Sequence, residues 1–79
     1  MKMNLKKLKS LYSKLEDIKS VLEEIKEAAE EKFNDRSDRW QDSDSGITYG
    51  ERVNYLESAI DELESVLENL DNAAHDENA

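Results

Sequence analysis

Apolar residues in the first part of the chain fall at Leu8, Leu11, Leu15, Ile18, Leu22, Ile25 and Ala29, with steps that alternate between three and four. A second series, Tyr49, Val53, Leu56, Ile60, Leu63, Leu67, Leu70 and Ala74, repeats the alternation. This is the a/d pattern of a heptad, which keeps one apolar stripe along a helix. A strand returns its side chains to one face every second residue and cannot produce it. The spacing predicts one helix over about residues 3–34 and another over about 46–72. A polar connection over about 35–45 joins them, and a frayed tail covers 73–79. The expected fold is all-α, a single domain built as an antiparallel two-helix hairpin.

Between the two stripes lie Asn34, Asp35, Arg36, Ser37, Asp38 and Arg39, then Trp40, Gln41, Asp42, Ser43, Asp44, Ser45 and Gly46. Small polar side chains of this kind compete for backbone hydrogen bonds and favour caps and turns. Ser37 is placed to cap one short turn through Trp40. The second helix has three candidate starts: Ser43, Ser45, or the capping box that Thr48 and Glu51 would form.

Folding back antiparallel brings the stripes together, with Leu22 expected near Leu56, Leu15 near Leu63 and Leu8 near Leu70. Charge favours the same arrangement. Residues 1–20 hold six lysines against Glu16 and Asp17, whereas the remainder holds five cations and eighteen carboxylates. An antiparallel pairing sets Lys2, Lys6, Lys7 and Lys9 beside Glu64, Glu68 and Asp71, at the negative end of the second helix dipole. Tyr12, Val21, Ala28, Ala59 and Val66 widen the stripe beyond what two helices cover. A homodimer through the seam, with Leu8, Leu15, Leu22, Leu56, Ile60, Leu63 and Leu67 at its centre, is therefore expected to complete a four-helix bundle.

The chemistry available is narrow. The sequence contains no Cys and one His, His75, placed in the expected tail. A catalytic base needs a fixed orienting partner, which such a tail does not supply. No glycine-rich phosphate loop is present, and no catalytic residue or cofactor is expected. The run from Asp42 approaches the start of a calcium loop, but Gly46 stands fifth where the loop needs its sixth residue, and Val53 stands where it needs Glu. No metal site is expected. A net charge of −9 disfavours direct binding to nucleic acid or to an anionic membrane. No apolar run follows the basic start, so no signal or membrane span is expected and the cytoplasm is the expected location.

Partner recognition remains, with two candidate features. Trp40 lies in an otherwise polar connection, where it serves either as a lid over the open end of the bundle, shared with Phe33, or as a partner anchor. Tyr55 falls at a heptad c position, where exposure is expected. Glu23, Glu24, Glu27, Glu30 and Glu31 occupy b, c and f positions, directed away from the seam. They form either an ordinary solvated face or an array that imitates DNA phosphates.

The run from Phe33 to Ser43, followed by Gly46, Tyr49, Glu51, Arg52 and the segment Leu56-Glu57-Ser58-Ala59-Ile60, resembles small acidic helical-hairpin proteins of phages, prophages and other mobile elements. The resemblance covers residues 33–70 and carries no site residues with it. It implies a setting in which small acidic proteins block a host defence or regulatory factor, in the host cytoplasm. The expected function is thus a non-enzymatic protein–protein interaction module, an inhibitor of one host protein. The alternatives are an assembly subunit acting only through self-association and an acidic DNA-mimic inhibitor.

Overall fold

A computed structural model describes residues 3–75. Helix α1 spans Leu5–Asn34, the short helix α2 spans Asp38–Gln41, and helix α3 spans Asp44–Ala73. The two long helices pack along one another, giving a rod 59 Å long and 16 by 15 Å across. No described helix is long and apolar enough to cross a membrane.

Capping chemistry sets each boundary, and it moves the expected ones. Helix α1 begins at Leu5 rather than near residue 3, because the Asn4 side chain accepts the Lys7 amide at 3.0 Å. The expected irregular connection contains α2, capped by Ser37, whose hydroxyl accepts the Trp40 amide at 3.2 Å. Helix α3 begins at Asp44, not near residue 46. Ser43 is its cap, accepting the Gly46 amide at 3.2 Å, so Thr48 and Glu51 already lie inside the helix and cap nothing. At the far end the helix runs through Ala73, one residue beyond the expected end near 72, and Ala74 is buried. Residues 76–79 of that tail lie outside the described residues, as does Lys2 of the lysine cluster.

The helices are antiparallel, but one turn away from the expected register. Phe33 stacks on Tyr49 with ring centroids 6.1 Å apart, and its ring lies beside Gly50. Lys19 reaches Glu64 at 3.3 Å, so the described inter-helix ion pair falls near mid-rod rather than among Lys6, Lys7 and Lys9. These contacts set Leu22 level with Ile60, Leu15 with Leu67, and Leu8 with Ala74. The reason lies at the turn. The carbonyls of Trp40 and Gln41 press on Gly46, so α2 occupies the first turn of α3 and Phe33 must pack one turn further along.

The buried residues follow from this register. Ile60 and Leu67 are 7% exposed and Ala74 is 6% exposed, and all three are a positions seven residues apart. Opposite them Leu8, Leu15 and Leu22 are half-buried, as are Leu56 and Leu63. The seam is therefore not closed on both columns. The d column of α1 stays open, with Leu11 at 41%, Ile18 at 50% and Ile25 at 49% exposure.

Candidate interaction surfaces

Two helices that face each other through their a positions have two flanks. In an antiparallel pair, equivalent heptad positions of the two helices fall on the same flank, because one helix is viewed reversed. The e positions make the closed flank. Here Lys19 donates to Glu23 at 3.2 Å on its own helix and to Glu64 across the seam, and these carboxylates hold its ammonium above the ordinary lysine value. Phe33 and Gly50 are also e positions and meet on this flank at the turn.

The opposite flank, formed by d and g positions, is open. It carries Leu11, Ile18, Val21 and Ile25 from α1, all exposed, beside half-buried Leu56, Leu63 and Leu70 and exposed Val66 from α3. Tyr55, 76% exposed, stands on the rim of this flank at its c position. Apolar residues scattered singly over a surface mean little, but a contiguous face of this kind is a candidate contact surface.

The second feature is the turn. Phe33, Trp40 and Tyr49 form a three-ring cluster in which Trp40 sits edge-on to the other two, at 6.0 and 5.7 Å between centroids. The Arg36 guanidinium lies 4.1 Å from the centre of the indole ring, a cation–π arrangement. Hydrogen bonds fix the frame around the cluster. The Gln41 amide donates to the carbonyls of Phe33 at 2.9 Å and Arg36 at 3.1 Å, tying the side chain of α2 to the end of α1 and the residues after it. The Tyr49 hydroxyl donates to the Ala29 carbonyl at 3.1 Å, and the Ser43 hydroxyl donates to the Trp40 carbonyl. Trp40 itself is half-buried, with shallow depressions on two sides: one runs toward Asp44, Thr48 and Arg52, the other toward Lys32 and Asp35. It thus has the packing partners of a lid together with accessible area that an anchor needs.

The acidic candidates divide. Glu23 and Glu30 are half-buried rather than directed away, and each is bridged by a lysine four residues earlier, Lys26 to Glu30 at 3.5 Å. Glu24, Glu27 and Glu31 are exposed. The helix 1 carboxylates are therefore not one uniform array, since two of them lie against ammonium groups. No group of three or more His, Cys, Asp or Glu side chains among the described residues is placed to hold a metal ion. His75 is exposed at the end of the described chain.

Sequence reasoning did not find Gly46 or Gln41, which together seat α2. Their signal was present only as a glycine and a glutamine in a polar run, with no periodicity to mark them. No family model, curated protein or solved structure matches the chain. Its geometry therefore carries the functional reading.

Proposed function

We propose that this protein is a non-enzymatic protein–protein interaction module that works by helix packing through its open d/g flank. The observation that carries the reading is the column Leu11, Ile18 and Ile25, left exposed at heptad spacing on a two-helix rod with three buried apolar residues among those described. Apolar burial is the main favourable term in folding and association, and covering this flank adds it where one hairpin has little. Self-association into a four-helix bundle is the simplest way to cover it. Light scattering at micromolar concentration tests this, with an expected mass of about twice the 9.1 kDa chain. A well-folded 9.1 kDa species under those conditions sinks the reading.

A second reading is favoured by the turn. Trp40 combines partial exposure, an arginine over its ring and adjoining depressions, the composition from which interface hot spots are made. In this reading the rod holds the aromatic turn out toward one other protein, such as a host defence or regulatory factor that it blocks. Capture from a bacterial lysate by tagged protein, compared with a Trp40→Ala variant, separates the two. A stoichiometric partner lost on substitution supports the inhibitor, and recovery of the chain alone supports the assembly subunit.

A further inference from the structure

We infer that the occupant of the open flank is a second copy of this chain lying antiparallel, with the twofold axis crossing α1 at Ile18 and α3 at Leu63. This rests on the assembly reading and specifies its geometry. The first argument is the symmetry of the apolar positions. Leu11, Ile18 and Ile25 are centred on Ile18, Leu56, Leu63 and Leu70 are centred on Leu63, and the register places those two centres at almost the same height. A perpendicular twofold there lays Leu11 on Ile25, Leu56 on Leu70, and Ile18 and Leu63 on their own copies. Such an isologous contact requires this self-complementarity.

The second argument is charge. Along the outer rim of this flank α1 presents Lys7 and Lys14 on one side of Ile18 and Glu24 and Glu31 on the other, all four exposed. The same axis sets Lys7 against Glu31 of the other copy and Lys14 against Glu24, four pairs per dimer. The lysine stems then cross Ala28 and Val21, which adds apolar cover. Asp17 and Glu62, the rim carboxylates nearest the axis, meet their own copies, and the four pairs offset them. A twofold parallel to the rod would instead set Lys7 and Lys14 opposite Ala73 and Asn69, which are uncharged among the described rim residues. Size fits as well. The stretch from Lys7 to Glu31 is about 36 Å long at 1.5 Å per residue, and two helices are roughly 20 Å wide, so about 700 Å² per partner is available, close to a standard stable interface.

Charge reversal tests the arrangement. The variants K7E/K14E and E24K/E31K each give the four paired positions of the α1 rim, 7, 14, 24 and 31, a single sign, so each is expected to self-associate roughly tenfold or more weakly than the parent chain. Mixed one to one, they should recover a heterodimer near 18 kDa by light scattering, since every reversed pair is again complementary. Circular dichroism checks that both variants keep their helices. Because the chain has no native cysteine, Ser45→Cys with a spin label gives an independent measurement on an otherwise unaltered rim. Label separation should be about 50 Å in the antiparallel dimer and well under 30 Å if both turns lie at one end. A dimeric parent chain whose reversed variants do not associate on mixing, or whose labels lie close, overturns the antiparallel geometry and leaves the assembly reading standing. A monomeric parent chain overturns both.

Discussion

A methyl group placed on Gly46 would overlap the carbonyl oxygen of Trp40, so the tightest contact between α2 and α3 runs through the absence of a side chain. Gly50, one turn later in the same helix, has only the Phe33 ring at 4.0 Å from an equivalent methyl. The two glycines therefore respond to alanine with opposite signs. Gly50→Ala should stabilise by up to about 1 kcal/mol, the ordinary gain for a helical glycine. Gly46→Ala should destabilise by about 2 kcal/mol or more, because backbone must move to admit the methyl. Urea unfolding of both variants reads the difference, and a stabilised Gly46→Ala would show that α2 is not seated as described.

Ile18 and Leu67 give a second contrast, between the open flank and the buried column. Ile18→Asp places a carboxylate on a side chain that is half exposed in the hairpin, so the helices should persist while the mass falls to that of one chain. Leu67→Asp buries an unpaired charge and should unfold the protein at room temperature. Light scattering paired with circular dichroism distinguishes the two outcomes. Loss of helix in Ile18→Asp would mean that the hairpin does not stand without its partner.

Trp40 should cost about 2 kcal/mol on replacement by Ala, less than the roughly 3–5 kcal/mol of a fully enclosed aromatic, because part of the indole is already in water. Iodide should quench its fluorescence incompletely. Tyr55→Ala should leave stability within about 0.5 kcal/mol in the single hairpin, since its side chain packs little there. Equal losses for both variants in chemical denaturation would contradict the difference in their surroundings.

Among the described groups, Lys19 has a titration that marks the register. Its hydrogen bonds to the Glu23 carboxylate and then to that of Glu64 raise its pKa above 10.5. A group raised on folding contributes stability that is fully present below its unfolded value and lost as pH climbs through the folded one. The effect therefore belongs to strongly alkaline solution. In an NMR titration the Lys19 ammonium should deprotonate above the ordinary lysine value. Glu64→Gln should move it back part of the way, and an unchanged titration would mean that the two helices do not meet at this height.

Much of the architecture was legible because heptad spacing is a strong signal: the eight apolar positions from Tyr49 to Ala74 leave few alternatives to a long helix. The same signal was silent on rotation. An a/d stripe is equally compatible with both columns buried or with one buried and one open, and the packing of Phe33 on Tyr49 and Gly50, with the Lys19–Glu64 pair, decides between them. Register failed for a related reason. Counting from polar run to polar run assumed an unstructured bend, whereas Ser37 and Ser43 cap two helices within it and the bend takes up a turn of α3. Tyr55 could be placed by its heptad position alone, because exposure at c needs no knowledge of the partner. Trp40 could not, since its surroundings are made by residues on three helices.

The layout of contacts along the rod also sets an order in time. Phe33 and Tyr49 are near neighbours in the chain, Lys19 and Glu64 are further apart, and Leu8 and Ala73 lie almost at opposite ends of the described sequence. Closing a loop costs more entropy the longer it is, so contacts at the turn form against the smallest penalty and each one shortens the loop that the next must close. Ordering of the chain starts at the aromatic cluster and advances down the rod like a zip. Opening runs the other way, and amide exchange should be fastest near Leu5–Leu11 and Leu70–Ala73 and slowest beside the rings.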